Sequence, residues 1–201
     1  KAVALNAGAL QAGWDYAAAT FTKQDPFTFE AIPNAARKIL IDGNALAKDH
    51  AYFRISNVAH SPDHRLIAYA VDTKGSEFST VHVVEAATSA VIDSHIADNN
   101  GNFEWASDSR TLLYVWLDDE HRPRKVLSHA IGAVGRDALV HEQPDPAYFL
   151  GLSETQSRRF LLLNASDHET AEIRLVDTKD PSAAPRLVSA REPEHDYSVE
   201  H

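Results

Sequence analysis

Short apolar runs, each entered through a polar turn, recur along the chain. Leu66 to Val71, Thr111 to Leu117 and Phe160 to Leu163 are apolar at nearly every position, which suits strands covered on both faces rather than on one. The turns that launch them are copies of one another: Ser61-Pro62-Asp63-His64-Arg65, Ala106-Ser107-Asp108-Ser109-Arg110 and, more loosely, Thr155-Gln156-Ser157-Arg158-Arg159. Asp63 and Asp108 stand 45 positions apart, and Asp108 and Ser157 stand 49 apart. A period of that size marks a four-stranded blade unit and exceeds most helical repeats.

Each copy carries further strand-like pieces at matching offsets. Thr80 to Glu85, Lys125 to Ala130 and Ala171 to Asp177 follow the first run; in the third copy Ile173 and Leu175 alternate with Glu172 and Arg174, the pattern of a strand with one wet face. Val91-Ile92, Leu139-Val140 and Leu187-Val188 come next, and Phe53 to Val58, Phe103 to Trp105 and Tyr148 to Leu152 precede the copies. Asp72-Thr73-Lys74-Gly75, Ala87-Thr88-Ser89, Asp98-Asn99-Asn100-Gly101 and Asp177-Thr178-Lys179-Asp180-Pro181 read as hairpin stops, rich in residues that tolerate positive φ or bond their own backbone. Only Ala2 to Leu10 and Ala35 to Leu46 have helical composition, weakened by Gly8 and Gly43. Gly13 to Phe21, Pro26 to Ile32 and Arg37 to Asp42 are candidate strands of a degenerate earlier unit.

The fold class that follows is all-β: a partial β-propeller of about four four-stranded antiparallel blades. Its divisions fall at 1–49 (degenerate first blade and lead-in), 50–98, 99–145 and 146–193, with a fifth blade beginning at 194–201. Four blades do not close a ring, so the segment is expected to self-associate through open strand edges. No methionine occurs anywhere, and position 1 is Lys, which suggests a piece of a larger protein.

Composition changes the picture little. Nineteen basic against 29 acidic side chains give a net charge of −10, and hydrophobic residues make up 44%, enough for a core. That balance argues against a nucleic-acid partner, since holding a polyphosphate requires surplus Lys and Arg; cationic partners fit better. No run reaches the length that crosses a bilayer, and the absence of cysteine excludes disulfides and thiolate chemistry within these residues. A cytoplasmic location is expected, with the periplasm as the alternative.

Several constellations invite a chemical reading and yield a bland one. Gly151-Leu152-Ser153-Glu154-Thr155 approaches the nucleophile elbow Gly-x-Ser-x-Gly, but Thr155 stands where the sharp turn needs glycine, so the segment reads as a strand entering a turn. His60 and His64 have the i, i+4 spacing that suits zinc on a helix; the turn between them makes divergent side chains the expectation. Asp98 to Asn102 lacks the alternating ligands and distant Glu of a calcium loop and reads as a hairpin turn. Asp118-Asp119-Glu120 reads as a solvated loop, Arg158-Arg159 as a surface pair, and Trp14, Trp105 and Trp116 as blade-to-blade packing. No catalytic, cofactor-binding or metal-ligating residue is assigned, and no cofactor is implied.

Ile41-Asp42-Gly43-Asn44-Ala45-Leu46-Ala47, His50, Tyr52-Phe53, Ser61 to Arg65 and Ala70-Val71-Asp72 resemble the propeller of the oligopeptidase B (protease II) branch of the prolyl oligopeptidase family of serine peptidases. The likeness continues through Trp105 to Leu112, Arg122-Pro123, His129-Ala130-Ile131-Gly132, Val140-His141-Glu142 to Phe149-Leu150, and Glu194 to His201; residues 1–40 match poorly. The resemblance implies a seven-bladed propeller stacked on an α/β-hydrolase domain and cleavage of short peptides after Arg or Lys. The Ser-His-Asp triad would lie in that hydrolase domain, which follows the propeller and is absent from these residues. The partners implied are short basic peptides and the C-terminal hydrolase domain, with neither nucleic acid nor membrane. Two other readings stand beside this one: a propeller that serves purely as a binding module, and a homologue whose triad has decayed.

Overall fold

The computed structural model describes residues 39–201. The elements expected at 2–10, 13–21 and 26–32, and with them the degenerate first blade, lie outside these residues. Of the expectations at 35–46, no strand forms at 39–42, and the helical part is one short turn, α1 (Gly43–Leu46), followed by a 3-10 turn at Ala47–Asp49. Asp42 caps it, its carboxylate accepting from the Asn44 and Ala45 N–H groups, so Gly43 opens the turn instead of breaking it.

The rest is antiparallel sheet. The strands are β1 (Arg54–His60), β2 (Leu66–Asp72), β3 (Ser79–Glu85), β4 (Val91–Trp105), β5 (Thr111–Leu117), β6 (Pro123–Ala130), β7 (Ala138–Glu142), β8 (Phe149–Glu154), β9 (Phe160–Ser166), β10 (Ala171–Asp177) and β11 (Arg186–Leu187). They pair in chain order, as a seven-stranded sheet β1 to β7 and a four-stranded sheet β8 to β11. Hydrogen bonding makes the first sheet continuous because β4 belongs to two blades. Its first half, from Val91 to Asn99, pairs with β3 as the outer strand of one blade, and its second half, to Trp105, pairs with β5 as the inner strand of the next. The described residues thus form three four-stranded blades, here A (β1 to the first half of β4), B (the second half of β4 to β7) and C (β8 to β11), and among them the array does not close.

This corrects the expected hairpin at Asp98 to Gly101. The four residues lie inside β4, where the ladder slips register, with Asp98 at φ 54° and Gly101 at φ 85°. Buried Asn99 does the work of a turn within the strand: its Nδ2 donates to Ile96 O and its Oδ1 accepts from Gly101 N. A bulge of this kind re-aims a strand without ending it, so blade A passes into blade B near Asn99 within a single strand.

Alternation explains the core. In β5, Leu112 and Tyr114 turn toward blade A and join Ala68, Ala70, Val81, Val83, Ile96, Phe103 and Trp105. Leu113 and Val115 turn the other way and join Val126, Leu150, Leu152, Leu161, Leu163 and Val176 between blades B and C. Consecutive apolar residues are therefore required, one set per seam. The far face of blade A is covered by Ile41, Phe53 and Ile55 over Ile67, Tyr69, Val71 and Val84. In β10 the expected wet face is half covered, because Glu172 and Arg174 pair with each other at 2.9 Å with side chains 14% and 28% exposed.

The repeated turn has one geometry in three places. His64, Ser109 and Arg158, each following the aligned Asp or Ser, take φ near +60°. Each turn closes with the same two backbone bonds, His64 N to Ser61 O and Ser61 N to Leu66 O in blade A, with equivalents at Ser109, Ala106 and Thr111 and at Arg158, Thr155 and Phe160. Asp63 and Asp108 accept the following N–H groups, while Ser157 does so through its hydroxyl. The turns also tie blades together: Asp63 N donates to Ser109 Oγ, and Ser107 N to Thr178 O.

Candidate functional site

Three strands form the inner edges of the blades: β1, the second half of β4, and β8, and they lie side by side. Asn102 bridges two of them as a surrogate backbone, its Nδ2 donating to Leu152 O and its Oδ1 accepting from Leu152 N, both at 2.8 Å. Gly101 permits the other approach, since a Cβ there would fall on Ser56 Oγ and lie 2.8 Å from Ser56 Cβ. Between these strands opens a cleft of about 310 Å³ whose lining includes Arg54, Ser56, Asn100, His121 and Phe149. The Arg122 guanidinium sits 5.5 Å from the Phe149 ring centre and donates to Pro146 O. Farther along the same strands Glu104 is pushed up to about 7, by burial first and then by the neighbouring charge of Glu154. Burial raises Glu154 as well, against the opposing pull of Arg158.

A second constellation lies in the seam between blades A and B. His129 on β6 and Asp93 on β4 are 3% and 2% exposed. The His129 ring meets a carboxylate at each nitrogen, Nε2 at 2.8 Å from Asp93 Oδ2 and Nδ1 at 2.7 Å from Asp137 Oδ1. Tyr114 OH donates to Asp137 Oδ2, Gly132 N to Asp93 Oδ2, and His95 N to Asp93 Oδ1. Burial alone would raise the Asp93 pKa, yet the His129, Gly132 and His95 donors hold it down at about 2. Burial likewise pulls His129 down, and the two carboxylates overcome it, leaving the imidazole above its ordinary range. Tyr114 is raised by burial and by its bond to Asp137. Beside this chain of groups lies a cleft of about 370 Å³, lined by Asp137, Tyr114 and His95 together with Trp116, Lys125 and Arg136.

The features weighed in the sequence fall elsewhere. Ser153 is exposed in the regular strand β8, paired with Leu162 on β9. His60 and His64 do not diverge: their ring centres are 4.3 Å apart, because the left-handed residue at 64 folds its side chain back over the strand. Among the described residues no third His, Asp or Glu joins them in a metal-binding group. Asp118 caps its own turn, accepting from Glu120 N and Arg122 N. Arg159 pairs with Asp177 at 2.9 Å and Arg158 with Glu154 at 3.7 Å. Trp105 is buried in the A–B seam with Nε1 donating to Ala59 O, while Trp116 lies at the edge of that cluster under Lys125; Trp14 lies outside the described residues. A Ser–His contact does occur, Ser157 Oγ to His201 Nδ1 at 2.9 Å, but that hydroxyl also accepts the Arg159 N–H of the repeated turn and Ser157 N donates to His201 O, so the contact ties residues 200 and 201 to the turn. The His129 network escaped sequence reading because its members are 36 and 8 positions apart and share no motif. The one hint was a histidine set among the apolar positions of β6.

Three antiparallel four-stranded blades that follow one another in chain order, the first passing into the second through the shared strand β4, define part of a β-propeller. The family model for the prolyl oligopeptidase N-terminal β-propeller domain matches residues 15–201, and the chain belongs to that family. It is 28% identical over 169 residues to dipeptidyl aminopeptidase BI of Pseudoxanthomonas mexicana, covering 83% of this chain and 23% of that protein. It is 27% identical over 173 residues to protease 2 of Moraxella lacunata, covering 85% and 25%. Among solved structures, oligopeptidase B from Leishmania major superposes with a TM-score of 0.80 at 26% identity over 87% of this chain and 25% of that one. Oligopeptidase B from Trypanosoma brucei with covalently bound antipain, in a closed form, gives 0.76 at 26% identity over 88% and 24%. The chain therefore spans about a quarter of the length of the relatives it matches.

Proposed function

We propose that this propeller portion serves a serine oligopeptidase that cuts short peptides after Arg or Lys, by limiting the size of the peptides that reach a C-terminal α/β-hydrolase domain. The observation that carries the reading is the match to the prolyl oligopeptidase propeller across residues 15–201, joined to the 0.80 superposition on an oligopeptidase B. The construction supports that role. Inner strands fastened by side-chain rungs such as Asn102 to Leu152 make a stiff wall, and a stiff wall excludes by size. The net charge of −10 adds attraction for cationic peptides at long range.

Steady-state kinetics of the intact protein test this reading. The kcat/KM for peptides with Arg or Lys before the scissile bond should fall sharply as peptide length grows, with folded proteins resistant. For a dibasic peptide it should drop severalfold from about 10 mM to about 500 mM salt, as the screening length shortens. Unchanged rates across that range would remove the steering component, and equal cleavage of short and long chains would remove the sizing role.

A further inference from the structure

The loop joining β6 to β7 is fastened at its start by Asp93 and at its end by His129, and the His129 imidazole bridges Asp93 and Asp137. At its start Gly132 N donates to Asp93 Oδ2, which also contacts His129 Nε2; at its end Asp137 contacts His129 Nδ1. Between these points the backbone turns through Gly132 and Gly135 at φ 81° and 143°, and Val134 is 94% exposed. Ile131 anchors the start of the segment, its N–H donating to Arg110 O and its side chain packing on the A–B cluster; beyond it, Ala133 N donates to Ala130 O and Tyr114 OH donates to Asp137.

The geometry prescribes a protonation state. A neutral imidazole has one N–H and one lone pair, so it donates to one carboxylate and turns a lone pair toward the other. Two carboxylate oxygens within 2.8 Å, one at each ring nitrogen, are both satisfied by the imidazolium. The charged groups facing this centre come from every packed element: Asp93 and His95 from β4, Asp137 from the loop, Tyr114 from β5, with His82 of β3 sensing Asp93 and Tyr114 sensing Asp98. We propose that His129 is a proton-operated rivet, which as imidazolium clips the Gly132 to Asp137 loop of blade B to the outer strand of blade A, and on deprotonation keeps only one of its two carboxylate contacts, so that the loop loosens and the cleft beside it widens. The sign follows from a histidine raised in the folded state: the clip is complete below the ordinary histidine pKa of about 6.5 and is lost as pH rises through the higher folded value.

Amide hydrogen exchange on the full chain from pH 6 to pH 9, expressed as protection factors to remove intrinsic base catalysis, tests the rivet. Protection at Gly132 should fall at least tenfold over that range while Leu163, in the middle of β9, stays level. In His129→Gln, Gly132 protection should be low and flat with pH; in Asp137→Asn the fall should move to lower pH. Should the glutamine variant not fold, NMR titration of the wild-type His129 ring and the Asp137→Asn profile decide the matter. Flat Gly132 protection in the wild type, a fall that persists unchanged in His129→Gln, or a His129 ring already neutral at pH 6 would each overturn the proposal.

Discussion

Glu104 shows how one residue carries a pH dependence into the fold. It lies on the inner half of β4, desolvated and facing the charge of Glu154, with its carboxyl at about 7. A carboxyl raised in the folded state binds its proton more tightly there than in the unfolded chain. Stability from this site is therefore full below about 4.5, declines as pH rises to 7, and is lowest above. Glu104→Gln keeps the shape and removes the charge. It should raise the melting temperature at pH 8 by a few degrees, from roughly 1–2 kcal/mol, and leave it nearly unchanged at pH 4. Calorimetry at the two values checks this, and an equal gain at both would show that the carboxyl is not the cause. Asp63, Asp108 and Ser157 were legible as equivalents because each accepts the N–H groups of the same tight turn, a constraint local enough to fix residue type.

At the scale of elements, β4 is where local reading and structure part. Asp98-Asn99-Asn100-Gly101 has the composition of a hairpin turn, and isolated chemistry favours one. The strand nonetheless continues, because β3 supplies its partner on one half and β5 on the other, and Asn99 satisfies the bend internally. Gly101 is the residue that allows it, having both a left-handed φ and β1 pressed against its missing Cβ. Gly101→Ala should destabilise by about 1–3 kcal/mol, through the left-handed penalty plus displacement of Ser56. Chemical denaturation measures this. A neutral effect would mean that β1 and β4 are not held together at that point. The strands of the repeat, by contrast, were legible, since residues apolar on both faces at period two have few alternatives to a buried strand.

Blades A, B and C stack through two apolar seams, and among the described residues the array does not close. An unclosed propeller leaves blade faces and strand edges available. The 201-residue chain in isolation is expected to self-associate, with sedimentation velocity showing species above 22.1 kDa at micromolar concentration; a single monodisperse monomer that unfolds cooperatively would contradict this. The strands of the repeat, its period and the chemistry of the three repeated turns were legible in the sequence, because these depend on neighbours a few positions away. Three outcomes were left to the folded chain: β4 serves two blades, the His60 and His64 ring centres come within 4.3 Å of each other, and His129 meets Asp93 and Asp137. Those outcomes depend on which surfaces two blades bring together, and a seam between blades leaves no periodic mark on the chain.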